Sequence, residues 1–340
     1  ARPTPTERAS ALGRLSPQAY TLLPRLVVQS LDAKDAQIQS YLADRRNGTD
    51  SSPARTLGTK GGVNMMLMGD IRNAKYDGTT DRPQVKTDSR SIAFAIDYEA
   101  RPGIIVGATV GIDGLDARLD PTTRPRITLF NSNVGTYASI TNGRVYVNAA
   151  ASYNYGDYKL RRQVDVGTFS NQLTANTDSD AWTASGETGY TLKRGKARIE
   201  PFAGLLYRNV SVSGFQEQGA AAALQVANYR TRSLQSALGV RASASPLIVR
   251  SNWSLRPTVQ AEWRRELRGK GDSRIEARFA SGGSPVFALQ PTRLARDFAT
   301  ASLGITATYK DRTSVRLAYN GQLSSDRQIH GAVLSLSRRF

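Results

Sequence analysis

Hydrophobic side chains alternate with small or polar ones along most of this sequence. Ile92, Phe94 and Ile96, for example, are separated by Ala93 and Ala95, and similar alternation recurs toward the C-terminus. Successive side chains of a β-strand point to opposite faces, so a period of two predicts strands with one apolar face each. The pattern therefore predicts an all-β fold over most of the chain.

Twelve strands are predicted in this way, most of them longer than the roughly five or six residues typical of soluble proteins. The mean hydropathy of −0.41 and the lack of any apolar run of about 18 residues exclude transmembrane helices. A transmembrane antiparallel β-barrel fits both observations, because only every second residue of its strands faces lipid. The strands are expected near residues 63–76, 89–100, 104–117, 126–141, 144–160, 179–192, 196–212, 225–244, 252–268, 296–310, 313–323 and 327–340.

The connections between these strands alternate between short and long. Tight turns are predicted at 101–103, 142–143, 193–195 and 310–312, and a slightly longer one at 245–251. Short turns at one end and longer loops at the other are typical of outer-membrane barrels, and an even strand number leaves both ends of the barrel on the periplasmic side. The longer loops are expected at 77–88, 118–125, 161–178, 213–224 and 269–295, and the segment 324–326 is a short exception on the same side.

The first 62 residues lack the period of two. The pair Ser16-Pro17 suits a helix start, so a helix is predicted over about 16–46, kinked or interrupted at Pro24. Polar linkers are expected on both sides of this helix. The chain is therefore expected to have two parts: residues 1–62 form the linkers and the helix, and residues 63–340 form the barrel.

The predicted helix fits inside the predicted barrel. Barrels of about eight strands are filled by their own side chains, whereas those of 16 to 18 strands leave an aqueous channel. Twelve strands lie between these cases, so the lumen is expected to accommodate one helix of about 10 Å diameter. Leu26, Leu31, Ile38 and Leu42 are the apolar positions assigned to this pore helix. The alternative is a helix that docks outside the barrel or becomes ordered only on a partner.

The last predicted strand adds a more specific pattern. Ala332, Leu334 and Leu336 alternate toward the terminal Phe340. Here the sequence resembles the translocator domain of type V autotransporters, whose closing strand ends in an aromatic residue; Arg338 stands where that family usually has an apolar or aromatic residue. Other segments similar to the family pattern are Asp88-Ser89-Arg90-Ser91, Ile105-Val106-Gly107-Ala108, Val134-Gly135-Thr136-Tyr137, Glu187-Thr188-Gly189-Tyr190, Ile199-Glu200-Pro201 and Leu238-Gly239-Val240-Arg241.

The resemblance implies a non-enzymatic function in the outer membrane of a Gram-negative bacterium. It implies that the barrel anchors and exports an upstream passenger, with the helix in the pore. The implied partners are the lipid bilayer, lipopolysaccharide, the passenger and the barrel-assembly machinery, which would recognise Leu334, Leu336 and Phe340 on the last strand. A monomer without cofactors is expected. Self-cleavage is not expected, because the helix has no Asn-Asn pair.

The chain has more basic than acidic residues, and the predicted barrel limits where they can lie. Lys and Arg number 46 against 28 Asp and Glu, a formal net charge of +18. Charged side chains are costly on a lipid-facing surface, so most are expected in the lumen, the turns and the outer loops. The pairs Arg161-Arg162, Arg264-Arg265 and Arg338-Arg339 lie near predicted strand ends, where a solvated rim or lipid phosphates would meet them. Nucleic-acid binding is not expected, because no recognition motif accompanies the charge.

The sequence offers little for catalysis or metal binding. It contains no Cys and one His, which excludes disulfides, thiol catalysis and zinc–thiolate sites. Neither a metal nor a cofactor is expected. Two other functions stay open: a pore for solute diffusion, and a barrel enzyme that would need His330, near the outer end of the last strand, in a catalytic triad.

Overall fold

The computed structural model is a closed β-barrel with one helix inside it. None of the described helices is both long enough and apolar enough to cross a membrane. The residues that the structure describes are 18–49, 62–78, 84–119, 125–166, 169–219, 221–244, 247–250, 252–268, 275–289 and 295–340.

Twelve long antiparallel strands form the wall of the barrel. Each pairs with its neighbours in chain order, and the last strand pairs with the first, which closes the sheet. The predicted fold class, an all-β barrel of about twelve strands with an N-terminal helix, is confirmed. The strands are β1 (Val63–Tyr76), β2 (Val85–Arg101), β3 (Ile104–Leu119), β4 (Arg126–Thr141), β5 (Val145–Val166), β6 (Phe169–Tyr190), β7 (Ala197–Val212), β8 (Tyr229–Ala244), β9 (Trp253–Glu266), β10 (Asp297–Tyr309), β11 (Thr313–Leu323) and β12 (Arg327–Arg339).

The apolar face of the strands points away from the lumen. On β2, Ile92, Phe94 and Ile96 are 48%, 39% and 39% exposed, whereas Ala93 and Ala95 are buried on the inner side. This arrangement reverses that of a water-soluble protein and is the one expected of a barrel whose outer face meets hydrocarbon. The period of two in the sequence therefore separates a lipid-facing surface from a lumen.

The two ends of the barrel differ. The turn end carries the tight turns, the start of β1 and the end of β12. In the β2–β3 turn, Gly103 has a φ of 82°, and a Cβ there would lie 2.3 Å from the carbonyl oxygen of Thr141, so this turn requires glycine. The opposite end, the loop end, carries the longer connections.

One predicted loop is wrong. Residues 161–178 are predicted as a loop, but β5 and β6 run through them as a two-stranded hairpin that stays paired up to Val166 and Phe169. On its inner side, Val164 and Leu173 are fully buried. Most outward residues of this hairpin are polar, so the segment has the composition of a loop although it keeps the strand period.

Two further predicted loops, 213–224 and 269–295, contain a small sheet that the sequence did not reveal. Its four short strands fold over the loop end and bury Leu224, Val226 and Ile275. We call this sheet the cap. Its strands are Phe215–Gln216, Leu224–Val226, Ile275–Phe279 and Phe287–Leu289, and two other short strands, Leu192–Arg194 and Leu247–Arg250, extend hairpins at the turn end.

A single helix occupies the lumen within the described part of the chain. A 3₁₀ turn, Gln18–Leu22, leads into α1, Leu23–Thr49. The helix predicted with a kink or interruption at Pro24 changes from 3₁₀ to α directly before this proline, which stands in the first turn of α1, where its missing N–H has no helical partner to lose. The 27 residues of α1 extend about 40 Å at about 1.5 Å per residue. Residues 16 and 17, and most of both predicted linkers, lie outside the described residues.

Candidate functional site: the helix-filled lumen

The four residues assigned to the pore helix are all buried inside the barrel. Leu26, Leu31, Ile38 and Leu42 are 2%, 3%, 6% and 0% exposed. Leu26 and Leu31 belong to an apolar cluster at the loop end, and Ile38 and Leu42 belong to a second one toward the turn end. Apolar packing therefore holds the helix in the lumen at two levels.

The loop-end cluster joins three parts of the fold. Leu23 and Leu26 of the helix share it with Leu129 of β4, and Leu224 and Ile275 of the cap complete it. All five side chains are at most 2% exposed. The cap and the start of the helix therefore share one apolar core at the loop end of the lumen.

The turn-end cluster explains why β1 has apolar residues on both faces. Met66 and Met68 point inward and pack in the same cluster as Ile38 and Leu42, together with Ile105 of β3. Methionine is unbranched and adapts to irregular surfaces, which suits the contact between a helix and a curved wall. The inward methionines of β1 thus contact the helix, and the outward residues of β1 form part of the membrane face.

Between these clusters, charged helix side chains meet charged wall residues. Asp32 accepts a hydrogen bond from Arg208 of β7 and another, of 3.4 Å, from Arg264 of β9. Lys34 Nζ lies 2.5 Å from a carboxylate oxygen of Asp113 on β3. Arg208 is fully buried. A buried charge is stable only when it is paired, so these contacts favour one rotation of the helix about its axis.

The second half of the helix continues this band of polar contacts. Gln37 donates a hydrogen bond of 2.8 Å to Asp70 of β1. Tyr41 donates to Asp97 of β2, and Arg45 donates to the other oxygen of the same carboxylate over 3.1 Å. One wall carboxylate therefore binds two successive turns of the helix.

Arg46 anchors the last described turn of the helix. It is 2% exposed and donates hydrogen bonds of 3.2 Å to Asn148 and 3.5 Å to Glu200. Its guanidinium carbon also lies 3.6 Å from the centre of the Tyr146 ring. An ion pair and a cation–π contact on one buried side chain make this a directional anchor.

The polar contacts of the helix are the part of the site that the sequence did not reveal. The pattern of apolar residues assigns only the leucines and Ile38 to the pore. A charged residue on an enclosed helix needs a partner of opposite charge, so ion pairs between the helix and the wall could be expected from the sequence. Its members, such as Asp97, Asp113 and Glu200, could not be matched to helix residues without the closed barrel.

A buried ion pair ties the start of the helix to the cap. Arg162 of β5 donates from Nε to Oε1 of Glu217 over 2.9 Å and from Nη2 to Oε2 over 2.6 Å. Glu217 also accepts from the N–H of Leu224, over 2.9 Å, and from the Tyr20 hydroxyl. Burial and the nearby charge of Glu217 raise the pKa of Tyr20 well above its ordinary value, so the hydroxyl remains a donor. We call Tyr20, Arg162 and Glu217 the latch.

The three arginine pairs singled out from the sequence are each divided across the wall. Arg162, Arg264 and Arg339 face the lumen, and the first two are buried. The other member of each pair is exposed on the outer face. Placing whole pairs on the rim is therefore wrong, because neighbouring residues of a strand point to opposite faces.

The three residues assigned to an assembly signal lie on the outer face of the chain end. Leu334, Leu336 and Phe340 are 57%, 47% and 66% exposed. The N–H of Phe340 donates a hydrogen bond of 3.0 Å to the carbonyl oxygen of Val63, beside the seam between β12 and β1. The guanidinium carbon of Arg338 lies 5.3 Å from the centre of the Phe340 ring. An exposed aromatic side chain, Phe340, thus directly follows the last strand.

His330 lies on the outer face of β12, toward the loop end. Its Nδ1 lies 2.5 Å from the hydroxyl oxygen of Tyr319 on β11, and the two rings stack. A tyrosine partner does not form the Ser-His-Asp arrangement that a hydrolase uses. Among the described residues, no group of three or more acidic or histidine side chains is placed to hold a metal ion.

The helix does not fill the lumen evenly. It packs most closely against the wall formed by β4 to β7. A cleft of about 190 Å³ remains on the opposite side, along β1 and β9 to β12. Asp44 of the helix crosses this side to an ion pair with Arg316 of β11, at 3.2 Å. The plugged barrel therefore keeps room for several water molecules beside the helix.

Comparison with known proteins links this architecture to a family. The family described as the autotransporter beta-domain matches residues 65–320 of the chain. Two relatives, each described as an extracellular serine protease of Serratia marcescens, are 25% and 24% identical over 276 and 274 residues. Each alignment covers 77% of this chain and 25% of the relative, so the chain spans about a quarter of the length of these proteins.

Three solved structures share the fold. The translocator domain of the autotransporter NalP from Neisseria meningitidis has a TM-score of 0.66 at 14% identity, covering 90% of this chain and 98% of that one. The beta domain of the Bordetella autotransporter BrkA has a TM-score of 0.57 at 14% identity, covering 83% and 100%. The transport unit of AIDA-I from Escherichia coli has a TM-score of 0.57 at 14% identity, covering 86% and 96%. At this identity the likeness establishes the fold alone.

The family match extends over most of the barrel, from β1 to β11. Its members are outer-membrane proteins of Gram-negative bacteria, and their fold is that of a transporter. The resemblance that the last strand suggested is therefore confirmed. The chain belongs to the autotransporter beta-domain family and is an outer-membrane translocator domain.

Proposed function

We propose that this translocator domain exports a passenger joined to its N-terminal side and then anchors it at the cell surface. The observation that supports this most directly is the direction of the helix. Its start packs beneath the cap at the loop end, and its last turns lie toward the turn end, where β1 begins. In outer-membrane barrels the short turns are periplasmic. A segment that precedes the helix would therefore stand on the outer side.

We assign residues 1–62 to the linkers and the pore helix and residues 63–340 to the membrane barrel. Leu26, Leu31, Ile38 and Leu42 would keep the helix in the pore after export, and their burial supports this role. The polar band would set the rotation of the helix.

The proposed partners follow from the outer face of the barrel. Its apolar band suits the lipid bilayer, and the exposed basic residues beyond that band suit lipopolysaccharide. The barrel-assembly machinery is the proposed reader of Leu334, Leu336 and Phe340, since they form an exposed apolar edge beside the closing seam. The Phe340→Ser variant is expected to assemble into the outer membrane more slowly than the Arg338→Ser variant. Equal rates of assembly of the two variants would argue against this role. We also propose a monomer without a cofactor or a nucleic-acid partner.

We infer that the barrel itself performs no catalysis. The name serine protease belongs to relatives of which this chain spans only about a quarter. His330 stands exposed with Tyr319 on the outer face, which does not support a hydrolytic centre. Hydrolysis of ester or peptide substrates by the purified chain, lost on His330→Ala, would contradict the inference.

Surface display of a reporter tests the proposed export. A small epitope-tagged protein is fused before Ala1, behind a secretory signal, and produced in a Gram-negative host. The reporter is expected to be removed from intact cells by external protease. The matched control carries the same reporter on residues 63–340, without the helix, and its reporter is expected to stay protected.

Heat-dependent mobility on gels shows whether each barrel has folded. A folded full chain whose reporter stays protected inside intact cells would overturn the proposal. Wide solute diffusion, the second function left open by the sequence, is disfavoured because the helix occupies the lumen at two levels.

A further inference from the structure

We propose that a row of basic side chains across the outer face of β1 to β5 binds the phosphate groups of lipopolysaccharide in the surrounding outer leaflet. The proposal rests on lipopolysaccharide as a partner of the barrel and adds the site. Neither the family nor the pore helix requires such a row.

The strand register places five cations side by side. Lys75 pairs with Lys86, Lys86 with Arg118, Arg118 with Arg126, and Arg126 with Arg161. All five face outward and are exposed. Neighbouring strands lie about 4.8 Å apart, so the row is a continuous basic stripe about 20 Å long. We call these five residues the basic row.

Such a row is unfavourable by itself, because like charges directly opposite each other destabilise a sheet. Carboxylates of Asp77, Asp88 and Asp116 lie 3.4, 3.2 and 3.1 Å from three members of the row. Lys86 and Arg161 have no ion-pair partner among the described residues. The three ion pairs are well exposed, and exposed pairs are weak and screened by salt. The row therefore keeps a surplus of positive charge that an external anion would neutralise.

The height of the row fits the phosphate layer of the outer leaflet. On β2, β3 and β4, the last large apolar side chains on the outer face toward the loop end are Ile92, Ile112 and Phe130. The basic row stands four to six residues beyond them, which is about 13–20 Å along a strand at about 3.3 Å per residue. A strand tilt of about 40° reduces the height to about 10–15 Å above the apolar band.

Lipopolysaccharide presents phosphates at this level, on its lipid anchor and on the inner sugars above it. Arg118, Arg126 and Arg161 offer planar guanidinium groups that can each hold two phosphate oxygens, and the two lysines add point charges. Phospholipid headgroups lie closer to the hydrocarbon and carry one phosphate each. A stripe of five cations therefore suits the multiply phosphorylated saccharide better than a single headgroup.

Binding of labelled lipopolysaccharide to the purified full chain tests the site. The probe is rough-type lipopolysaccharide, titrated into the folded protein in a zwitterionic detergent. The test variant is Lys86→Gln/Arg118→Gln/Arg161→Gln, and its Kd is expected to rise at least tenfold. The matched control is Arg230→Gln/Arg232→Gln/Arg265→Gln, which removes the same charge from exposed outward positions on β8 and β9. The Kd of the control is expected to rise less than threefold.

Two further arms identify the ligand group. The same lipopolysaccharide after enzymatic removal of its phosphates is expected to bind the wild-type chain no better than the test variant. Millimolar inorganic phosphate is expected to compete poorly, because one phosphate meets only part of the row. Strong competition by free phosphate would identify a simple anion site and overturn the assignment to lipopolysaccharide.

The outcomes separate the site from the partner. If the wild-type chain binds lipopolysaccharide and both variants lose affinity equally, the basic row is not the site, although the partner stands. If the wild-type chain does not bind, the proposed partner fails as well. All substituted side chains are exposed, so gel mobility is expected to show folded barrels in every case.

Discussion

At the scale of single residues, charged contacts determine how the helix is oriented in the lumen. Apolar contacts such as those of Leu26 and Leu42 have no preferred orientation, and a helix could satisfy them in several rotations about its axis. The contact between Asp32 and Arg208 is different, because its atoms must meet and both groups are shielded from water. The ion pairs of the lumen therefore select one seating of the helix among those that the leucines allow.

The substitution Asp32→Ala tests this directional role. It removes the helix carboxylate that accepts a hydrogen bond from the buried Arg208. Removing one member of a buried pair costs up to about 3–5 kcal/mol, and the nearby Asp35 of the same helix, which also attracts Arg208, is expected to reduce this cost. The urea concentration at which α1 becomes accessible to protease is expected to fall, while the barrel strands stay folded.

The matched control is Asp297→Ala, at an exposed ion pair in which Asp297 lies 3.8 Å from Arg265. Exposed pairs contribute at most about 1 kcal/mol, so little change is expected. Equal effects of the two substitutions would show that the buried pair does not hold the helix.

At the scale of elements, the cap and the helix depend on each other. The inner side of the cap, with Phe215 and Leu224, packs in one apolar cluster with the 3₁₀ turn and the start of α1. The ring of Tyr20 also meets the ring of Phe215 edge to face, with centres 4.9 Å apart. A barrel whose helix has not yet arrived would leave this apolar surface open to water. The cap is therefore expected to fold last, after the helix is seated.

The latch gives this dependence a test. The substitution Glu217→Ala removes the carboxylate that pairs with the buried guanidinium of Arg162 and that accepts the hydrogen bond of Tyr20. Hydrogen exchange over the cap strand Leu224–Val226 is expected to become at least tenfold faster, while exchange in the β2–β3 hairpin stays unchanged.

Gln225→Ala is the control for the latch, because Gln225 is exposed on the outer side of the same cap strand. The side-chain oxygen of Gln225 accepts a hydrogen bond of 2.8 Å from the exposed Arg278. Unchanged exchange in Glu217→Ala, or an equal gain in both variants, would show that the latch does not hold the cap closed.

At the scale of the whole molecule, the helix occupies the lumen of the barrel. An apolar core surrounds the start of the helix at the loop end, and a cleft of about 190 Å³ lies beside the helix. A twelve-stranded barrel without its helix would have a lumen roughly as wide as the 10 Å diameter of that helix. Conduction of ions should therefore report directly on the presence of the helix.

Removal of residues 1–49 is expected to raise the single-channel conductance in planar bilayers several-fold over that of the full chain. Leu26→Ala in the full chain is the milder comparison, since it keeps the helix and removes only one buried side chain; a small change is expected. A full chain that conducts as well as the shortened one would show that the helix does not occlude the pore.

Local patterns in the sequence predict much of this molecule. The structure has β1, β4 and β11 at the predicted bounds, 63–76, 126–141 and 313–323, because alternation and turn chemistry act over a few neighbouring residues. The prediction of a loop at 161–178 is wrong because it also rested on a local pattern. The outward residues there are polar like those of a loop, and the pairing of β5 with β6 cannot be recognised from neighbouring residues alone. The cap cannot be predicted from local patterns because its four short strands come from two loops that are far apart in the sequence.

The sequence by itself determined the all-β fold, the strand period, the outward apolar face and the presence of an N-terminal helix, since each follows from the spacing of neighbouring residues. Only the tertiary structure decided that Asp32 meets Arg208, that Glu217 joins Tyr20 to Arg162, and that Lys75 and Arg161 belong to one row. These contacts link residues far apart in the chain, and they depend on the register and closure of the barrel. A charged residue on the helix predicts a partner of opposite charge, but only the folded barrel wall brings that partner within contact distance.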